Sequence, residues 1–505
     1  MAFYVRDSSR NPAWHVGDFL LDHNSWNDWW RYENLYTLKY MNKDHIFDII
    51  GYVKIGDISE VQNAPVPALP DHFERLDPTM FISVGQDDEY YEAINRLGLD
   101  KRLMILTSLN DMAFNLDYFY SYRQLDVVRT SLLRDIPIQT VINQFHRMAC
   151  GGAKTTDYKF AYHYPSSGSS ELEPAQLSFS VEPDSNPPTN IHVVIGRNGV
   201  GKTWLLKNMI GSLYHKDNAS TFGEFTFDSH RTQFSNLVCL AFSAFDHFSL
   251  AQENDDDLKY TYIGIKSLYD GKEVGLDEQF AISLTTCMTN KTLYQRWKDT
   301  ISVLNSDTIF SEVNLIECTD RIQANRRVYT RKLAETEIIQ IFKRLSSGHK
   351  IVVLTLTRLV ETVKECTLVL LDEPELHLHP PLLAAFTHAL SQLLINRNGV
   401  AIVATHSPVI LQEVPKSCVW VLRRSGREIV ADRPERETFG ENVGILTSDV
   451  FRLEVMDSGF HKMLKDVLEK ANGDFEQALA KFNLQLGSEA IALLKVMSLQ
   501  YGDDL

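Results

Sequence analysis

Four short runs in the second half of the chain are almost continuously apolar: IHVVI (191–195), TLVLL (367–371), VAIVA (400–404) and CVWVL (418–422). Strands buried on both faces lose the polar alternation of a half-exposed sheet, so these runs predict a parallel sheet covered on both sides. Between them lie stretches of helical period. One is 203–213, with Leu206, Met209, Ile210 and Leu213 on one face; another is 381–395, with Leu383, Phe386, Leu390 and Leu394. Strand–helix alternation of this kind gives an α/β fold. The first half reads differently. LYTLKYM (35–41) and HIFDIIGYVKIG (45–56) are strand-like and separated by a turn at Asn42-Lys43-Asp44, and YKFAYHY (158–164) and QLSFSVE (176–182) form a second strand pair. Residues 61–70 and 183–190 are proline-rich breakers. Residues 71–150 are expected to be mostly helical. The picture is a β lobe with a helical segment inserted into it.

Composition narrows this little. Hydrophobic content of 44% and charged content of 23% are ordinary for a folded chain of 505 residues. No apolar run approaches the ~18 residues of a membrane span, and the start lacks the apolar stretch of a signal peptide. A cytoplasmic protein that does not engage the membrane is expected. The charge is −16, from 50 Lys plus Arg against 66 Asp plus Glu, so any nucleic-acid contact would need a local basic patch. The six cysteines show no CxxC pair or zinc-type spacing and read as reduced thiols.

The chemistry begins after the first apolar run. Gly196-Arg197-Asn198-Gly199-Val200-Gly201-Lys202-Thr203 fits GxxxxGK[ST], with a strand before it and an amphipathic helix after it. Glycines let the backbone turn several N–H groups onto one anion, and the helix N-terminus adds a favourable dipole. Lys202 supplies a point charge for the β- and γ-phosphates of ATP, and the Thr203 hydroxyl a ligand for Mg2+. TLVLL ends in Asp372-Glu373: Asp372 is placed to reach the metal, and Glu373 to orient or deprotonate the attacking water. VAIVA runs into Thr405-His406. If the strands are parallel, His406 shares an edge with Asp372 and reaches the γ-phosphate or the water.

A fourth feature, Leu345-Ser346-Ser347-Gly348-His349-Lys350, precedes the acidic strand. Alone it is ordinary loop chemistry. In this order, the four features resemble the ABC-type (P-loop) ATPases: phosphate loop, LSGGQ signature, acidic strand, switch histidine. The resemblance implies a head-to-tail homodimer, or a higher oligomer of dimers, with Ser346 and Gly348 contacting the γ-phosphate held by the other copy. His349 stands where the family has Gln. It also implies that KIVVLTLTRLV (350–360) is helical despite its strand propensity. The tract Asp372 to Pro380 (DEPELHLHP) is similar to the OLD, RecF and SMC-like branch, and within it to ATPase subunits of Septu-type and retron-associated anti-phage systems. These act beside a separate effector nuclease. OLD nucleases carry a TOPRIM domain after the switch histidine; residues 407–505 show no such Glu and DxD set, and 459–501 reads as short helices.

The expected organisation is a β lobe over 1–190 with its helical insertion at about 65–150, ATPase lobes over 191–246 and 341–440, a helical arm or lid over 247–340, and a C-terminal helical segment over 441–505. Several readings stay open. His377 and His379 are either a metal pair or residues at the dimer interface or helix start. Trp26, Trp29, Trp30, Tyr162 and Tyr164 either stack on adenine or form core. Ser243 and Asp246, in the AFSAFD tract, are weak candidates for the metal's outer shell. Arg321, Arg326, Arg327, Arg331 and Lys332 form either a solvated face or a contact for nucleic acid or an acidic partner. Three functions compete: a sensor or regulatory ATPase for an effector nuclease, a DNA-repair or DNA-structural ATPase, and a transporter or translation-factor cassette.

Overall fold

The computed structural model describes residues 2–5, 14–24, 32–59, 66–134, 136–138, 140–152, 155–165, 175–215, 218–228, 234–241, 258–264, 267–269, 272–289, 291–325, 331–425, 428–451, 459–483 and 485–501. The N-terminal lobe is a six-stranded sheet of β1 (Phe3–Val5), β2 (Phe19–His23), β3 (Leu35–Met41), β4 (Phe47–Asp57), β5 (His72–Phe73) and β6 (Phe81–Gly85), in the order β5-β1-β2-β3-β4-β6. Among the described residues of this sheet, only β1 and β2 pair in parallel. The helices α1 (Asp88–Arg96), α2 (Leu99–Ser108), α3 (Leu116–Tyr122) and α4 (His146–Ala149), with two π-helical turns, cover it. Their shared core includes Phe19, Val53, Tyr91, Leu106 and Phe145. Within 71–150, expected to be mostly helical, β6 is a strand. Its FISV run of aromatic and β-branched residues suits a strand, and it closes the sheet against β4.

The central sheet has seven strands. β9 (Ile191–Gly196), β11 (Asn236–Ala241), β12 (Lys259–Gly264), β15 (Thr367–Asp372), β16 (Val400–Thr405), β17 (Val419–Ser425) and β18 (Glu428–Asp432) lie in the order β12-β11-β15-β16-β9-β17-β18. All pairs are parallel except the edge hairpin β17–β18. Val193, Leu371, Val403 and Val421 face one core; Val194, Leu370, Ile402 and Leu422 face another. This two-sided burial is why the strands read as unbroken apolar runs. The second face carries α5 (Lys202–Tyr214) and a three-stranded antiparallel sheet of β7 (Tyr158–His163), β8 (Gln176–Val181) and β10 (Glu224–Phe227).

The first face carries the segment between the two halves of the sheet. Its first described element is β12, inside the stretch expected to be a helical arm; there β12 extends the central sheet by pairing with β11. After a two-stranded ribbon, β13 (Ser267–Tyr269) with β14 (Lys272–Val274), come α6 (Leu276–Thr289), α7 (Lys291–Ser302), α8 (Thr308–Val313), α9 (Leu315–Ala324) and α10 (Arg331–Lys343). These helices do not leave the body. Phe280 stacks on Phe342 at 4.4 Å, and the buried Trp297 donates from Nε1 to Thr357 Oγ1 at 2.9 Å. Thr357 belongs to α11 (Ser347–Thr362), the KIVVLTLTRLV stretch, which is helical. It is apolar nearly all round and buried nearly all round, so packing overrides its strand propensity. α12 (Pro380–Ile395) packs beside it, and helices Gly459–Glu469, Phe475–Lys481 and Ser488–Tyr501 form a separate small cluster around Leu464 and Leu494.

The N-terminal lobe is joined to the central sheet by buried charge. Arg397 Nη1 lies 2.6 Å from Asp88 Oδ1, with the two side chains 10% and 2% exposed. Arg147 Nη2 lies 3.2 Å from Glu365 Oε1, yet burial still pushes the Glu365 carboxyl up to about 7. Removing one member of a buried pair strands the other, at a cost of about 3–5 kcal/mol. Asp88→Ala should therefore lower the urea midpoint for unfolding of the N-terminal lobe; an unchanged midpoint would show that the seam is held elsewhere.

Candidate nucleotide site at the carboxyl edge of the central sheet

Parallel register assembles the site. Asp372 pairs with Ala404 and Thr405 with Ile195, so β15, β16 and β9 end together and deliver Asp372, His406 and Gly196 to one edge. A Cβ at Gly196 would sit 2.6 Å from the Leu422 carbonyl oxygen, so only glycine fits there. Gly199 and Gly201 hold φ of 77° and 110°, the left-handed region that glycine reaches without strain. Arg197, Asn198 and Gly199 are exposed at the loop's crest, while Val200 is buried and anchors it. Arg197 Nη2 approaches the Phe451 carbonyl at 3.5 Å. Thr203 is half-buried in the first turn of α5.

Lys202 lies back across its own loop. Its ammonium donates to the carbonyls of Gly196 (3.0 Å) and Arg197 (3.2 Å) and stands 3.8 Å from Glu373 Oε1. Burial pulls this amine below the ordinary lysine range, and the carboxylates of Glu373, Asp372 and Glu375 oppose that shift. Glu373 has a φ of 46°, unusual for a residue with a Cβ, and its N–H donates to Ala404 O at 2.8 Å. The turn aims its carboxylate between Lys202 and His406, whose Nδ1 is 3.6 Å from Glu373 Oε1.

Sequence reasoning passed over Glu375. Its Oε1 accepts from Thr405 Oγ1 (2.5 Å) and from the His406 N–H (2.8 Å), and it lies 3.1 Å from His406 Nδ1. It ties the loop after β15 to the end of β16. The available signal was a further acid two residues beyond Glu373.

Ser346 and Gly348 stand at the start of α11. Ser346 Oγ contacts His349 Nδ1, and a Cβ on Gly348 would meet the His377 carbonyl at 2.8 Å. These contacts are with the signature turn itself and the loop after β15, and not with the phosphate loop of the same chain. His377 and His379 do not converge on one point: His377 sits on a 3-10 turn, while His379 caps α12 by accepting from the Leu382 N–H at 3.3 Å. Tyr162 is fully buried, with its hydroxyl on the Phe222 carbonyl at 2.6 Å, and Tyr164 is nearly so. Both are core residues here. Trp26, Trp29, Trp30, Ser243, Asp246, Arg326 and Arg327 lie outside the described residues.

The oxygen donors of Thr203 and Asp372 are of the hard kind that Mg2+ selects. The glycine cradle and Lys202 are of the kind that phosphate selects.

Residues 320–412 match the family described as "AAA domain, putative AbiEii toxin, Type IV TA system", a stretch that holds the signature turn, the acidic strand and the histidine strand. The chain aligns with protein ea59 of Escherichia phage lambda, 37% identical over 518 residues and covering 96% of each. The chain belongs to the ea59 family. This member has a P-loop fold of the ABC/AAA ATPase type, with an α/β core and an N-terminal lobe that is antiparallel except for the β1–β2 pair. A metal-chelate type ABC transporter in an inward-facing conformation also aligns, at a TM-score of 0.30 and 16% identity over 59% of this chain and 89% of that one. That likeness is too distant to add to the assignment. Among the described residues, no helix is long and apolar enough to cross a membrane.

Glu375→Ala removes two hydrogen bonds to a charged acceptor, each contributing about 1.5–3 kcal/mol. The variant should unfold at lower temperature, and the His406 ring should lose its fixed environment in an imidazole NMR spectrum. A His406 signal identical to that of the parent would remove Glu375 as its anchor.

Proposed function

We propose that this ea59-family protein binds ATP at the phosphate loop and hydrolyses it with Glu373 as general base. The observation that carries this is the convergence of Lys202 and His406, from two other segments of the chain, within 4 Å of Glu373 Oε1. The loop amides of Gly196 to Gly201 and the Lys202 ammonium hold the phosphates. Thr203 and Asp372 supply the oxygens that would hold Mg2+, which when bound draws charge from the β- and γ-phosphates. Glu373 takes the proton of the attacking water. His406 senses the γ-phosphate, and Glu375 holds it in place.

Ser346 and Gly348 complete the site of a second copy, so that ATP closes a homodimer and hydrolysis reopens it. Within one copy, the lack of a side chain at Gly348 lets the Ser346 turn lie against the His377 backbone. In the cell the dimer gates a partner effector nuclease in phage–host conflict. The phage origin of the lambda relative and the toxin–antitoxin description of the matching family support that setting. Direct action on DNA is the weaker reading: the net charge is −16, and Arg331 is paired within its own helix with Glu335 at 3.0 Å.

Two variants test the site. Lys202→Ala should lose ATP binding by at least about 100-fold in a titration with a fluorescent ATP analogue; normal affinity would undo the phosphate-loop assignment. Glu373→Gln should keep ATP affinity and lose about 100- to 10,000-fold in turnover, the range that general-base catalysis contributes. Unchanged turnover would remove Glu373 as the base.

A further inference from the structure

Three elements meet behind the signature serine, and their protons can be assigned. Asp307 caps α8, its Oδ1 accepting from the Ile309 N–H at 2.9 Å. Its other oxygen, Oδ2, lies 3.3 Å from Nε2 of the buried His349 and 3.9 Å from Nε2 of His379. The ligating atoms of these three residues all lie within 4.8 Å of one another, as at an open metal site. The hydrogen bonds argue otherwise. His379 Nδ1 accepts the Leu382 N–H, so the proton of the neutral ring sits on Nε2 and leaves that nitrogen no lone pair for a metal. The cluster is a proton network converging on one carboxylate.

His349 Nε2 faces that carboxylate and carries a proton toward it. The remaining nitrogen, Nδ1, is 2.5 Å from Ser346 Oγ and decides what the serine can do. A bare Nδ1 consumes the serine proton. A protonated Nδ1 donates to Oγ and leaves the serine O–H available to an outside acceptor. A phosphate oxygen is an acceptor only, so Ser346 can serve it only when His349 is an imidazolium.

We propose that His349, held by Asp307, is the positioning residue that sets the direction of the Ser346 hydrogen bond, so that contact with the γ-phosphate of a second copy takes up one proton. This rests on the reading of Ser346 as the contact made across the dimer. The groups that face the His349 ring are the Asp307 carboxylate and the His379 ring, 6.1 Å away centroid to centroid. Lys350 is turned away, toward Asp277 Oδ1 at 3.9 Å and over the Phe342 ring. From α8 the Phe310 ring presents an uncharged neighbour, 4.9 Å centroid to centroid. The position where the ABC-type signature that this turn resembles has glutamine thus holds a residue that donates to the serine only when protonated. Glutamine, with its amide N–H, donates at any pH.

The test uses the full chain with Glu373→Gln to block hydrolysis, measuring ATP-induced dimerisation by sedimentation at about pH 5.5 and about pH 8.5, on either side of the ordinary imidazole range. Dimerisation should weaken by about tenfold or more at the higher pH, the direction that linkage requires when the closed form binds the extra proton. Adding His349→Gln should give tight dimerisation that changes less than about twofold between the two pH values. Asp307→Asn, which leaves the buried ring in place, should weaken closure at the higher pH further and retain it at the lower. Equal pH dependence with and without His349→Gln, or no effect of Asp307→Asn, would overturn the proposal. Adding Ser346→Ala separates it from the reading beneath: if that variant dimerises as tightly as its parent at both pH values, Ser346 makes no contact across the dimer and both fall.

Discussion

The parallel register of β9, β16 and β15 is the constraint from which the site follows. Because Thr405 lies opposite Ile195 and Ala404 opposite Asp372, three chain segments separated by as much as two hundred residues finish at one edge. A slip of one residue in either ladder would exchange the faces of every side chain on a strand, and both faces here are buried. The phosphate loop, the acidic tip and the histidine therefore inherit their spacing from a core that tolerates little displacement. The helices on the first face, with Trp297 locked to Thr357, extend the same rigidity to the signature turn.

At that edge the molecule holds charge that would be costly without its partners. Lys202 is 5% exposed, and its ammonium is satisfied by two loop carbonyls and by nearby carboxylates. A phosphate chain offers the same lysine stronger acceptors, so the resting contacts are ones that a nucleotide can replace. Glu373 keeps a left-handed backbone that costs on the order of 1–3 kcal/mol and that places its carboxylate beside both Lys202 and His406. Glu375 is the brace that fixes the histidine side of this arrangement.

The parts of this design that are local in the chain were legible in the sequence. The unbroken apolar runs announced strands buried on both faces, and the glycine spacing before Lys202 announced a loop that must turn its amides inward. What depends on distant contacts was not. β6 and β12 are short and were hidden in stretches read as helical, because pairing with β4 and β11 is what makes them strands. The helix α11 was expected from the resemblance and not from its strand-like composition, which gives way to burial in the assembled helical layer. Asp307 is 42 residues from His349, and no local pattern joins them. Glu375 lay in plain view, yet its role required knowing that β16 runs alongside β15.

The most direct measurement mixes two inactive chains, one carrying Lys202→Ala and the other Ser346→Ala. If the phosphate loop of one copy and the serine of the other form a single site, a mixed dimer contains one intact site, and ATP turnover rises well above that of either chain alone. If each copy works with its own loop and its own serine, mixing restores nothing, and turnover stays at the mean of the two separate chains.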